Sequence, residues 1–386
     1  MPIPPPLSLS LFYLTAFAVL GVYLPYLNLY LKAIGLTGLQ IGLVSALVPL
    51  AGALAPAAGG ILSDRIGRRR VLVVASNLLA LLAFALLPRM RAFGGIALVV
   101  AAYAVLRAPA LPLVEASAVE IAEAGGSPYG RMRVWGSIAF IVASLAAGPL
   151  VARWGESVVP PLVILLLALN ALSSLVLPTD TARPVAAGGG SGLGALLVRP
   201  RVALFLLACL LSQASHGPYY VFYSIHLKTV GYSPQAIGLL WALAVGCEVV
   251  AMLRMPSILA RFGTLPIIAC CLLLSSVRWW ICAVTAAPLA MAAAQTLHAA
   301  SYAAFHVAAV THTHRVFGAE RRASGQAIYS SATYGVGNVL GMFVSGVLYD
   351  RTTMATLFAG ASWAALLGGF LVLAAARREG VARPGL

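Results

Sequence analysis

Apolar stretches long enough to cross a bilayer recur from one end of this 386-residue chain to the other. No other feature restricts the fold as strongly. A bilayer core about 30 Å thick takes about 20 apolar residues of helix, and every backbone polar group inside it must be satisfied within the chain. The composition leaves no soluble alternative. Residues are 61% hydrophobic and only 9% charged, too few to cover the exterior of a large soluble domain. The chain therefore reads as an all-α polytopic membrane protein.

Breaking the sequence at its loop signals gives twelve spans, near residues 9–32, 38–62, 70–88, 93–122, 130–152, 158–178, 202–228, 234–258, 264–285, 287–313, 321–349 and 354–376. The formal charge of +15 does not point to nucleic acid, because the basic residues form no single face or tail. They collect in alternate loops: Arg65, Arg68, Arg69 and Arg70; Arg183, Arg199 and Arg201; Arg261; Arg315, Arg321 and Arg322; Arg377, Arg378 and Arg383. The intervening loops hold fewer, namely Lys32, Arg89, Arg91, Arg153, Lys228 and Arg351. That asymmetry predicts both termini on the cytoplasmic side. The first span lacks a basic leader and a small-residue cleavage site, so a retained helix is expected rather than a signal peptide. The five cysteines lie in apolar segments without ligand spacing and read as packing residues.

The two halves of the chain resemble each other. "LKAIGLTGLQIGLVSAL" (31–47) and "LKTVGYSPQAIGLLWAL" (227–243) align without gaps at an offset of 196, and Arg65 and Gly67 meet Arg261 and Gly263 in the same register. Between them lies "TDTARPVAAGGGSGLG", flexible by composition. The predicted organisation is a six-helix bundle at 1–178, a cytoplasmic linker at 179–200, and a second six-helix bundle at 201–386. Parallel duplication of six helices is the plan of one large transporter class, which holds its substrate between the halves.

An ionised side chain at mid-membrane costs about 2.5–3.5 kcal/mol on insertion scales, so each one needs a partner or a cavity. Glu115 stands about ten residues before the Gly125–Gly126 turn and Arg133 about seven after it, ~15 Å and ~10 Å of helix respectively. A long Arg side chain bridges most of that difference, which makes a Glu115–Arg133 pair feasible across the fourth and fifth helices. Arg131 lies nearer the interface and is expected to serve Glu120 or Glu123. Glu248 and Arg278 lie deep in the eighth and ninth helices, and Arg107 two turns before Glu115; all three are candidates to face a cavity. Arg254, near a helix end, can snorkel. His298 shares a helical face with Gln295, Ser301, Tyr302 and Phe305, and histidine is a natural proton switch. His306 reads as a satisfied core residue. His312 and His314 point to different sides of a helix with no carboxylate nearby, so no metal is expected. Among the aromatic residues, Tyr220 and Tyr223 are candidates to line a slot for a ring-shaped solute, and Tyr23 matches Tyr219 across the repeat.

"GILSDRIGRRRVL" (60–72), in the loop between the second and third helices, resembles the G-x-x-x-D-R-x-G-R-R signature of the major facilitator superfamily. The resemblance implies that Gly60, Asp64, Arg65, Gly67 and Arg68 serve gating, latching cytoplasmic helix ends in one state of an alternating cycle. The second copy is degraded, with Ala260 where Asp64 would be. "YGRMRVWGSIAF", "YSPQAIGLLWALAVGCEVV", "SSVRWW" and "QTLHAASYAAFH" look like the phenylpropionate-permease group of that superfamily, and several are also similar to lactose permease. In that resemblance Glu115 and Arg133 fall on substrate-holding positions, and Arg278 and His298 on a coupling network. Ser301 and Gln295 depart from it, standing where lactose permease has a proton-carrying Glu and a Lys.

The expected function is secondary active transport, by proton-coupled symport, of a small organic solute such as an aromatic carboxylate. Substrate-binding candidates are Glu115, Arg133, Arg278, Arg107, Tyr220 and Tyr223; proton-coupling candidates are Glu248 and His298. A sugar or nucleoside symporter, or an efflux antiporter faintly suggested by "SLAAGPLVA" (144–152), are the alternatives. No Walker A motif is present, since the only two Lys follow Leu, so direct ATP drive is not expected. No cofactor, metal or nucleic acid is expected, and no enzyme activity. The expected setting is a monomer in a bacterial-type inner membrane, working with its substrate and protons.

Overall fold

The computed structural model describes residues 3–179, 193–318 and 321–381. Every regular element among them is helical. In chain order the long helices are α1 (Pro5–Ala33), α2 (Gly38–Ile66), α3 (Arg69–Arg89), α4 (Phe93–Glu123), α5 (Tyr129–Trp154), α6 (Glu156–Ser174), α7 (Pro200–Thr229), α8 (Pro234–Phe262), α9 (Thr264–Val284), α10 (288–317), α11 (322–349) and α12 (Met354–Val381), with a short helix at Leu193–Leu197. Ten of them are long and apolar enough to cross a membrane; α2 carries a shorter apolar stretch, Gly38–Leu54, and α10 is interrupted.

The duplication seen in the sequence recurs in the backbone. After α1, Gly35 adopts φ +93°, with the Gly35 N–H donating to Lys32 O and the Leu36 N–H to Leu31 O. After α7, Gly231 adopts φ +95°, with the Gly231 N–H donating to Lys228 O and the Tyr232 N–H to Leu227 O. Both are the paired bonds that close a helix through a left-handed glycine. Gly67 and Gly263 repeat the correspondence after α2 and α8, at φ +66° and +75°.

Four helices are less regular than the apolar pattern predicts. α4 breaks between Arg107 and Ala110, where Pro109 lacks an N–H to continue the ladder, and α7 between Ala214 and Gly217, just ahead of Pro218. α10 carries a π-helical segment at Ala299–Ala304 and α11 another at Ser331–Gly337. Hydropathy is blind to backbone register, so continuous spans were the expectation at all four.

The chain divides into two compact units. One takes the described residues of Met1–Val185 with Ser224–Ala242; the other takes those of Ala186–Tyr223 and Leu243–Leu386. The first unit has a core of Leu9, Phe12, Tyr13, Val73, Val114 and Met132. The core of the second includes Phe205, Ile268, Leu272, Phe305 and Tyr329. Within the first unit the start of α8 packs closely on α5 and α1. The Tyr26 hydroxyl donates to Ser144 O or Pro234 O, each 3.0 Å away, and Ser144 Oγ donates to Gly238 O at 3.1 Å. Gly148, in the stretch that suggested an antiporter signature, is part of this seam: a Cβ there would lie 2.7 Å from Gln235 Cα.

A Cβ at Gly238 would lie 2.4 Å from both Ser144 O and Tyr26 Oη, and the Ser144 carbonyl is backbone that cannot swing aside. Gly238→Val is therefore expected to destabilise the protein by about 1–3 kcal/mol, the usual cost of overpacking. Gly246, also in α8, has open space around it and serves as the control. Equal melting temperatures for Gly238→Val and Gly246→Val in detergent would contradict this packing.

Candidate functional site

In the first unit, α4 and α5 bring the predicted pair together. Arg133 Nε lies 3.9 Å from Glu115 Oε1, a loose ion pair whose side chains are 28% and 38% exposed. The Arg133 guanidinium is steadied by aromatic faces, 3.9 Å from the centroid of Phe17 and 5.5 Å from that of Tyr13. This leaves donors of Arg133 and an acceptor face of Glu115 accessible to a third group. Arg107 stands at the α4 break. It donates to Asn170 Oδ1 at 3.0 Å and to Ala16 O at 3.2 Å. Asn170 is itself held by donating to Thr15 Oγ1 at 3.1 Å. The expected service of Arg131 to Glu120 is not found. Arg69, from the start of α3, donates to Glu120 at 2.6 Å; the long α3 arginine was overlooked because α3 and α4 are paired by tertiary packing alone.

The second unit holds a denser constellation. Arg278 on α9 is buried between two rings, 4.3 Å from the centroid of Tyr219 and 4.2 Å from that of Trp279. It donates to His298 Nδ1 at 2.7 Å, to Ser301 Oγ at 2.9 Å and to Gln295 Oε1 at 3.0 Å. All three acceptors lie on α10, on the face the sequence predicts, and Ser301 lies in its π-helical segment. His298 Nε2 lies 2.8 Å from Glu248 Oε1 on α8.

The tautomer of His298 follows from its neighbours. Arginine has donors and no acceptor. Nδ1 of His298 therefore accepts, the ring proton sits on Nε2, and that N–H donates to the Glu248 carboxylate. The order is guanidinium, neutral imidazole, carboxylate. A second proton on His298 would face the Arg278 donor at 2.7 Å. A proton on Glu248 sets no second donor against Arg278.

Tyr220 stacks on His216, with centroids 5.7 Å apart, and Tyr223 packs against Tyr219 at 5.0 Å. His216, buried against Trp279 and 6.2 Å from the His298 ring, is a residue that sequence reasoning passed over. A His in an aromatic run carries no charge signal to single it out. His306 is satisfied by the Tyr334 hydroxyl at 2.6 Å, and His312 by Thr264 at 3.0 Å. Of the loop signature, Gly67 closes α2 through its left-handed backbone and Arg68 is exposed. Gly60 lies within α2, and the side chains of Asp64 and Arg65 lie outside the described set. Among the described residues no cluster of metal-ligating side chains occurs.

The chain is similar to proteins named as transporters. The chain is 31% identical over 297 residues to the probable 3-phenylpropionic acid transporter of Escherichia coli (strain K12), covering 75% of this chain and 78% of that protein. It is 25% identical over 277 residues to the maltose permease of Geobacillus stearothermophilus, covering 70% and 68%. The crystal structure of the nucleoside transporter NupG superposes with a TM-score of 0.85 at 19% identity, over 97% of this chain and all of that one. A bacterial homologue of the lysosomal transporter Spinster superposes with a TM-score of 0.67 at 14% identity, over 96% and 95%. Residues 7–359 match the MFS_1 like family. With twelve long helices among its described residues and a match spanning nearly its whole length, the chain belongs to the MFS_1 like family of the major facilitator superfamily, as an integral membrane transporter of small molecules.

Proposed function

We propose that this protein takes up a small organic anion, an aromatic carboxylate in the first instance, together with a proton. The observation that carries the reading is the Arg278–His298–Glu248 relay, buried at Arg278 and His298. It contains one group able to gain a proton without losing its partners' geometry, Glu248, and a fixed positive charge that the proton would leave uncompensated. Of the charged candidates, Arg107, Arg133 and Glu115 lie in the first unit, and Arg278 and Glu248 in the second. In the second unit Arg278 and Glu248 balance when ionised, and protonating Glu248 leaves a surplus of +1 there. In a low-dielectric interior that surplus favours binding of an anion, and binding of an anion favours the proton. The name of the Escherichia coli relative points to the same solute class.

In this reading the six-helix halves at 1–178 and 201–386 alternate access, and the loop signature with Asp64 and Arg65 latches their cytoplasmic ends. Both termini are cytoplasmic, following the arginine-rich loops, and the protein works as a monomer in a bacterial-type inner membrane. The test is uptake of 3-phenylpropionate into proteoliposomes under an imposed pH gradient, alkaline inside. Accumulation above equilibrium that a protonophore abolishes is expected. Accumulation indifferent to the gradient would overturn coupling, and extrusion against an inward proton gradient would make the protein an antiporter.

A second reading, a neutral sugar or nucleoside, is favoured by the loose Glu115–Arg133 pair, which offers acceptors and donors together as hydroxyls require. Competition separates the two. Displacement of a bound probe by neutral glycosides and not by carboxylates would select this reading.

A further inference from the structure

Within the first unit a cavity of about 290 Å³ opens among α1, α2, α3, α4 and α6. Its walls are mostly apolar and aromatic, including Phe17, Tyr23, Tyr103 and Leu111. Three polar side chains reach it: Arg107, Asn170 and Asn77.

Arg107 lies 14 residues after Phe93, the start of α4, or ~21 Å along the helix, close to mid-membrane. Its partners among the described residues are the neutral Asn170 amide and the Ala16 carbonyl. Two of its five N–H donors are thereby used, and the charge is left without a carboxylate. Asn77 is the second, independent sign. It is 1% exposed, lines the same cavity, and neither its amide nitrogen nor its oxygen has a hydrogen-bond partner. A buried amide left wholly unpaired is destabilising, so native proteins rarely keep one without a use.

We infer that Arg107 and Asn77 form the carboxylate-binding subsite of the transported anion, with the ring of the solute seated against Phe17, Tyr23 and Tyr103. This rests on the anion-uptake reading above and deepens it by naming the anchor. The chemistry is complementary. A carboxylate accepts from the Arg107 fork and from the Asn77 amide N–H, and it neutralises the one cavity arginine that has no acidic partner. Asn170, held by Thr15, fixes the guanidinium in place beforehand. The volume lies at the lower end of the usual ~300–1,000 Å³ for ligand pockets. It suits one ring and a short acidic arm. Phe17 also carries Arg133 on its face, so filling the cavity bears directly on the Glu115–Arg133 pair.

The test uses the purified full-length protein and calorimetric titration with 3-phenylpropionate, cinnamate and benzoate, each beside its neutral amide. The wild type is expected to prefer the acids. Arg107→Gln is expected to lower acid affinity at least about tenfold and to erase the preference over the amides. Arg107→Lys, which keeps the charge and loses the fork, is expected to fall between. Asn77→Leu is expected to weaken acid binding several-fold while its melting temperature stays level or rises, because an unpaired amide has been removed. That pairing of outcomes separates a binding role from a structural one. Acid binding unchanged in Arg107→Gln and Asn77→Leu overturns the subsite and leaves anion uptake standing. No acid binding by the wild type overturns both. Equal loss of acids and amides in the variants would make the cavity a neutral-solute pocket and overturn the anionic assignment.

Discussion

Glu248→Gln is expected to abolish proton-driven accumulation while leaving substrate exchange across the membrane intact. The glutamine side chain keeps the size of glutamate and an oxygen that can still accept from His298 Nε2, so the relay through His298 to Arg278 survives. What it loses is the ability to take up a proton. Exchange of labelled for unlabelled solute needs only a carrier that reorients when loaded; accumulation needs the empty carrier to return without its proton. A loss of at least an order of magnitude in gradient-driven uptake, with exchange within about twofold of wild type, is the expected signature of an interaction needed for coupling alone. His298 is the obvious rival, and geometry disfavours it. Its Nδ1 faces a guanidinium, and protonation there would set two donors against each other at 2.7 Å. His298→Gln is accordingly expected to impair both activities together by freeing Arg278. If Glu248→Gln still accumulates solute under a pH gradient, the coupling group lies elsewhere, with Glu115 the next carboxylate to test.

Much of the fold was legible because a bilayer imposes one length scale on every span. Twelve apolar runs, the matched glycines at 35 and 231, and the loop arginines all follow from local sequence. The Glu115–Arg133 pair was legible for a related reason: two helices joined by a short turn are antiparallel neighbours, and rise per residue fixes which positions meet. Partners joined by no such turn were not legible. Arg69 reaches Glu120 across 51 positions, and nothing in either neighbourhood announces it. Glu248 and His298 were both singled out as buried titratable groups, yet their contact depends on how α8 meets α10. Asn77 was missed for a different reason. Ionisable residues stand out in an apolar run because their membrane cost is large and unambiguous. A neutral amide in an apolar run costs less, and only the structure reveals whether its hydrogen bonds are met. The breaks and π-helical segments escaped because they change backbone register without changing hydrophobicity.

Arg278→Gln is expected to destabilise the second unit strongly, and removing Glu248's charge is expected to return much of the loss. Arg278 is 1% exposed and sits between the Tyr219 and Trp279 rings with three side-chain acceptors around it. Removing one member of a buried charged network strands the other, at about 3–5 kcal/mol. With Arg278 gone, the Glu248 carboxylate loses the positive end of its relay, and His298 loses the donor that fixes its tautomer. The double variant Arg278→Gln/Glu248→Gln has no stranded charge and is expected to melt well above Arg278→Gln alone, though below wild type, since the stacking on Tyr219 and Trp279 is not restored. A thermodynamic cycle over the two sites therefore gives a coupling energy of at least about 1 kcal/mol, in the range found for residues of one network. Transport stays absent in both variants, because recovering the fold does not recover the charge that the proton and the anion act upon. Strict additivity of the two substitutions would mean that Glu248 and Arg278 do not sense each other through His298. The relay would then be a set of separate packing contacts, and the coupling mechanism built on it would fall.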